Sequence, residues 1–472
     1  MESITKERVS ELVSKQREYF KTGETLDIDF RIKQLKKLKS MVESHEKEME
    51  QALYEDLGRH YVEAYFCDVG SIILEINETI KGLKKWVRPE KHFSGFACFP
   101  SMITKVYKMP YGNTLIVSPF NFPFLLSLGV LIPAIAGGNT AIIKASSKTV
   151  HCTALLEKMV AETFDPKYVT VLGGGHDVAD FCLEERFDKI FYTGSTKVGV
   201  HVLEMAAKNL TPVALELGGE NGNWAVVRKD ADIKDTARKI AFFKACNAGQ
   251  ICININQIAV AKEVAGELIK ELKLAFERTV GVDPVNNDEY PKLVSAGAYE
   301  KCANEAEEYR DRIIYGGFGN KEKQKYAPTL IYPVRPDEKI VNHELFCPLL
   351  PIVEFEDDKI DDMIKLIEER EHGLALYLFT KNKRWANKVF KSSQYGGGCY
   401  NEVCIHLMVK GVPFNGTGHS GMGAYHGKYG FMEFTHPSTV LYGSRIFNLS
   451  LREHPYEGHD KGKMRLLKLF EK

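Results

Sequence analysis

The chain has 472 residues, enough for about three domains of ~150 residues and for a large buried core. Its 63 Lys and Arg balance 63 Asp and Glu, so there is no basic excess of the kind that binds nucleic acid, and no nucleic-acid partner is expected. With 44% hydrophobic and 27% charged residues, the composition is that of an ordinary globular protein.

Met1 leads into a charged helical pattern rather than a secretory leader, and helices are predicted almost throughout from Thr5 to about Trp86. Between Asp27 and Val42, Phe30, Leu35, Leu38 and Val42 form an apolar stripe, and the lysines opposite read as its solvated face. From His92 to Met109 the pattern turns irregular and then alternates around ITKVYKM, which suits a protruding strand or hairpin arm. A half-apolar arm is an edge liability unless a second subunit covers it, so a homodimer is expected. Strand and helix then alternate: strands at Thr114–Ser118, Thr140–Lys144, Val169–Leu172, Lys189–Tyr192 and Pro212–Glu216, with helices near Phe124–Ala136 and Val150–Thr163 between them. The run Phe122 to Ala136 is the longest apolar stretch, but it is shorter than the ~20 residues of a membrane span and carries Pro123 and Pro133. Alternation of this kind predicts a parallel sheet covered on both faces, with ligands at the carboxyl ends of its strands. Asn121, Lys144, Gly194 and Glu216 all fall there.

The stretch from Leu215 to Cys252 carries the chemistry. Glu216 and two glycines open it, a helix is predicted over Ala231–Cys246, and Asn247 and Gly249 end that helix just before Cys252. A cysteine on such a loop can face a cleft, where a mid-helix core cysteine cannot. Beyond it a second alternation appears, with strands at Trp224–Val227, Gln257–Ala261, Thr329–Tyr332, Leu349–Phe355 and Ala375–Thr380 and a helix at Ala265–Val280. The tail KGKMRLLKLF is a short basic amphipathic helix without a hydrophobic extension, so no membrane anchor is expected. The ten cysteines show no CxxC pair or framework spacing, which fits reduced thiols in a cytoplasm. GSTKVG, at Gly194 to Gly199, is neither the GxGxxG fingerprint nor a phosphate loop.

Taken together, LELGG, the loop Asn247 to Cys252, PFNFPF (Pro119–Phe124), YTGSTKVG (Tyr192–Gly199), HELFCP (His343–Pro348) and PFNGTGHSGMGAYHGK (Pro413–Lys428) resemble the aldehyde dehydrogenase superfamily in its own order. TPVALELGG and SGMGAYHGK point to its class 3, fatty-aldehyde-like branch. The resemblance implies an α/β fold: a Rossmann-like cofactor-binding domain (1–91 and 112–218), a second α/β catalytic domain (219–413), a small β oligomerisation arm (92–111 and 414–446, including STVLYGSRI) and a tail (447–472). It implies oxidation of an aldehyde with NAD or NADP. Cys252 would be the nucleophile, the side-chain amide of Asn121 and the Cys252 N–H would receive the oxyanion, and Glu216 would activate the water that resolves a thioester. Lys144 would hold ribose, Gly194, Ser195 and Gly199 would pass close to the pyrophosphate, and Glu344 and Phe346 would hold the nicotinamide ribose and ring.

Ser147 stands where many relatives carry a glutamate that repels a 2′-phosphate. Removing one like charge at ~4 Å relieves up to ~4 kcal/mol at an effective dielectric of 20, so NADP is expected to be accepted beside NAD. Phe120, Phe122 and Phe124 suggest an apolar entrance and a medium- or long-chain aliphatic or aromatic aldehyde. Five residues depart from the family pattern: Glu220, the pair Asn221 and Gly222, Asn415 and Cys347, the last expected to narrow the site or compete as a thiol. Three rival readings stay open. CoA instead of water could resolve the thioester, Gln250 ahead of Cys252 could mark a cysteine hydrolase although none of the 14 histidines sits in a recognisable motif, or the fold could bind nucleotide without turnover.

Overall fold

The computed structural model describes residues 4–95, 98, 100–446, 454, 456 and 460–470. The chain opens with helices Lys6–Lys21, Ile28–Ser44 and Glu46–Leu57, followed by Tyr61–Ala64, which runs through a π-helical turn, Tyr65–Val69, into Gly70–Trp86. Thr5 and Asp27 cap the first two by accepting from the Arg8 and Phe30 N–H groups.

These helices pack on a six-stranded sheet ordered Gly421–Met422, Val213–Leu217, Lys189–Gly194, Asn113–Val117, Thr140–Lys144, Val169–Leu172. All its pairings are parallel except that of Gly421–Met422 with Val213–Leu217. Strand order reverses at Asn113–Val117, whose chain successors lie first on one side and then on the other. The helix Leu125–Gly137 follows that strand and is buried at every residue, wedged among Gly70–Trp86, Ile28–Ser44 and Gly427–Glu433. Burial on all sides, not lipid, is why it is apolar all round. No helix among the described residues is long and apolar enough to cross a membrane.

A second sheet has the order Ile313–Tyr315, Thr329–Val334, Leu349–Phe355, Ile255–Ala261, Asn223–Val227, Ala375–Phe379, Gly397–Tyr400, parallel except at its first pair. Its helix Ile233–Ala245 starts two residues later than expected because Asp232 caps it, accepting from the Asp235 N–H at 3.1 Å. A three-stranded antiparallel arm joins Glu90–Phe93, Ile103–Pro110 and Thr435–Tyr442, and leaves Phe93 and Ile103 more than half exposed. Only part of 414–446 lies in that arm. Gly421–Met422 joins the first sheet beside Glu216, and Gly427–Glu433 packs on Leu125–Gly137. Of the expected tail, Asp460–Phe470 is helical; residues 447–453 and 471–472 lie outside the described set.

The return to the first sheet depends on one glycine. Gly421 has φ 133°, and a Cβ there would meet the Leu215 carbonyl oxygen at 2.0 Å. Gly421→Ala should therefore pry this edge strand from Glu216 and destabilise the fold by about 1–3 kcal/mol, read as a lowered denaturation midpoint.

Candidate functional site

The first sheet delivers its strand ends to one crevice. Pro119, Phe120 and Asn121 follow Asn113–Val117, Thr193 to Ser195 close Lys189–Gly194, and Glu216 and Gly218 end Val213–Leu217. Cys252, Glu344 and Phe346 arrive from the second sheet, and together these residues line a cavity of about 180 Å³. It lies where strand order reverses, the position at which open α/β sheets bind ligands.

Cys252 is set by an unusual loop. Asn247, Ala248 and Gly249 are all left-handed, with φ of 48°, 50° and 78°. At Gly249 a Cβ would meet the Cys347 carbonyl oxygen at 2.5 Å, so the backbone itself packs against the 346–348 segment. The Gln250 side chain closes the loop, donating to the Asn247 oxygen at 2.9 Å and accepting from the Val294 N–H at 3.0 Å. The Asn223 amide donates to the Cys252 carbonyl oxygen at 2.7 Å and to that of Asn254 at 2.8 Å, while its oxygen accepts from the Ala375 N–H. Asn256 brackets Glu344 in the same way, donating to the His343 oxygen at 3.0 Å and accepting from the Leu345 N–H at 2.8 Å. The Asn121 amide donates to the Gln250 carbonyl oxygen at 3.2 Å, which fixes its plane and leaves one N–H uncommitted.

The electrostatics follow from dryness. Neither Glu216 oxygen has a hydrogen-bond partner among the described residues, and burial, with the Glu433 charge adding to it, holds the carboxyl well above the usual range. Burial also lifts Glu344 to about 7. The Cys252 thiol is pushed up to about 12 by burial first, then by the charges of Glu344 and Glu216.

A second cavity, about 620 Å³, is lined by Ser147 with Ser146, Glu157, Gly174 and Asp177. Lys144 adjoins it, donating from Nζ to the Gly174 and Ala145 oxygens at 2.8 and 2.7 Å. The two cavities offer glycine backbone, one buried ammonium and a helix start at Thr196, a donor set that fits a dinucleotide. Gly199 reaches neither cavity. It lies under Leu217, where a Cβ would stand 2.9 Å from Cδ2, so its role is helix-on-strand packing.

The phenylalanines separate as well. Phe120 packs edge-on to Phe346 at 5.8 Å, Phe122 lines an apolar cavity with Ile251 and Ile253, and Phe124 is core. Cys347 does not narrow the site: the left-handed turn at Phe346 sends it into the core with Ala248 and Cys302. Glu220 is exposed, its carboxylate 3.2 Å from His419, and the Asn415 amide donates to its neighbour's carbonyl at 3.3 Å. Asn223, Asn256 and the fully buried Arg59, which donates to Asn121 and Asn247, escape a motif-based reading. No periodicity or spacing marks them.

The model of the aldehyde dehydrogenase family matches residues 1–440. The chain belongs to this family. It is 38% identical to aldehyde dehydrogenase family 3 member H1 of Arabidopsis thaliana, over 97% of this chain and 94% of that one. It is 36% identical to 4,4'-diaponeurosporen-aldehyde dehydrogenase of Staphylococcus aureus, over 96% and 97%. The substrate-bound structure of Staphylococcus aureus AldH superposes with a TM-score of 0.93 at 35% identity, covering 98% of this chain and 99% of that one. The protein is thus an NAD(P)-dependent oxidoreductase that converts an aldehyde to the carboxylic acid.

Thiolate is the reactive form, and a thiol held near 12 ionises about tenfold more per pH unit across the neutral range. Without cofactor, iodoacetamide alkylation of Cys252, followed by peptide mass spectrometry, should climb about tenfold per unit from pH 7 to 9. Glu344→Gln, which removes a repelling carboxylate, should accelerate it above pH 8. A plateau below pH 8 would contradict the dry-site account.

Proposed function

We propose that Cys252 attacks the aldehyde carbon while the uncommitted Asn121 N–H and the Cys252 backbone N–H receive the oxyanion. The observation that carries this is the convergence of Cys252, Glu216 and Asn121 on one cavity at the strand reversal. Glu344 and Phe346 would hold the nicotinamide end of NAD or NADP, and Lys144, Ser147, Gly194 and Ser195 its nucleotide end; when bound, the cofactor would supply the hydride acceptor. Loss of hydride from the hemithioacetal carbon leaves a thioester on Cys252. Glu216, whose unpaired carboxylate is a strong base once ionised, takes the proton of the attacking water; the C–S bond breaks and carboxylic acid is released.

The apolar cavity beside Ile251 and Ile253, walled by Phe66, Phe122, Leu125 and Phe243, supports an aliphatic medium- or long-chain or an aromatic aldehyde. Ser147 leaves room for a 2′-phosphate, and Lys148, 4.8 Å over the Phe120 ring, adds a cation at the same turn. The exposed apolar residues of the arm support a homodimer, and ten free cysteines support a cytoplasmic setting.

Absorbance at 340 nm with NAD or NADP and aldehydes from acetaldehyde to decanal and benzaldehyde should show turnover rising with chain length, unchanged by CoA and absent in Cys252→Ala. Dependence on CoA would redirect the reading to acyl transfer. Ser147→Glu should lower kcat/KM for NADP by about tenfold or more while sparing NAD. No turnover of wild type with NADP would remove the dual-cofactor proposal.

A further inference from the structure

Arg59 lies in the turn between Glu46–Leu57 and Tyr61–Ala64, outside every motif, and is completely buried. A guanidinium out of water is costly unless its fork is met, and here it is. Nε donates to Asn247 Oδ1 at 3.0 Å, one terminal nitrogen donates to Asp68 Oδ2 at 2.5 Å, and the other donates to the main-chain oxygen of Asn121. The plane covers the Phe122 ring at 4.5 Å. The partners are held in turn. Asp68, on the π-helical turn, accepts from the Leu125 N–H at 2.7 Å, and Glu63 accepts from the Asn247 N–H at 2.8 Å. The Asn247 amide donates to the same Asn121 carbonyl at 3.1 Å and to that of Gln250 at 3.0 Å.

We propose that Arg59 is a positioning residue for the oxyanion site. It rests on the roles given above to Cys252 and Asn121. One planar fork grips the carbonyl of Asn121 and the side chain of Asn247, so the two loops that supply oxyanion donors, one from each sheet, are fixed against each other. An Arg59 that served only to neutralise Asp68 and Glu63 would affect stability and leave the chemistry of the folded molecule alone. The contact with Asn121 is what gives it a kinetic signature. Lysine keeps the charge but not the fork, and misplacing a reacting group by 1 Å costs about 10²-fold.

The test uses Arg59→Lys and, should that variant fold poorly, Asn247→Gly, which keeps the left-handed backbone and leaves the Arg59–Asp68 pair intact. Two rates are compared in the full-length protein. One is the single-turnover appearance of reduced cofactor with enzyme in excess of aldehyde. The other is alkylation of Cys252 by iodoacetamide, a displacement that creates no oxyanion. Either variant should slow the first by about 10–100-fold while the second and the KM for cofactor stay within about twofold. Single-turnover rates within threefold of wild type in a folded variant would overturn the proposal, as would alkylation slowed in parallel, which would mean that the loop has collapsed. Turnover surviving in Cys252→Ala would instead refute the nucleophile assignment.

Discussion

Three consecutive left-handed residues, two of them not glycine, precede Cys252, and the placement of this proposed nucleophile depends on their being held. Each of the two non-glycine residues costs of order 1–3 kcal/mol if nothing over-determines it. Asn247 is over-determined. Its N–H, its amide and its side-chain oxygen all have partners, in Glu63, in the Asn121 and Gln250 carbonyls and in Arg59. Ala248 is fully buried, and Gly249 presses on the backbone of Cys347. The loop is therefore a joint between the two sheets: one side is made by residues of the second sheet's chain segment, the other by the N-terminal helices and the first sheet's strand end.

That joint forms one wall of the cavity, and burial there sets its electrostatics. Burial raises a thiol and two carboxyls together, because each charged form loses water, and neighbouring carboxylates add to it for Cys252 and Glu216. At neutral pH the resting site thus holds Cys252 as the thiol, and the same burial biases Glu216 toward its protonated form. Such a thiol resists adventitious oxidation and alkylation, since the thiolate is what reacts. A positive charge entering the cavity reverses the balance by favouring both ionised forms. A cationic cofactor ring, bound in this cavity as proposed, would be a ligand of that kind.

Local patterns made much of this legible. The buried helix after Asn113–Val117 announces itself by its composition, the strand ends can be read from alternation, and Glu216 and Cys252 sit in motifs whose spacing encodes one strand-helix unit. Arg59 could not be found that way. A single arginine in a helix-to-helix turn looks like a surface residue until the fold brings positions 62 and 188 residues away onto its fork. Gly421–Met422 is too short to show a period, so the return of the chain to the first sheet is invisible before the fold is known. The direction of Cys347 is hidden for a related reason. Its place beside Phe346 points the side chain toward the site, and a positive φ at Phe346 reverses it.

The departures from the family pattern touch the site unequally. A substitution alters chemistry only if its side chain reaches the cavity or loosens something that does. Glu220 meets His419 at the surface, Asn415 meets its own neighbour, and Cys347 faces a core shared with Ala248. Asn221 contributes its main-chain oxygen to Gln257, a contact any residue could make. Ser147 is different in kind. It lines the cavity proposed for the nucleotide and, by the family resemblance, stands where many relatives carry a carboxylate. Its proposed effect is therefore directed at a ligand and falls on cofactor choice, while Cys252, Glu216 and Asn121 line the other cavity.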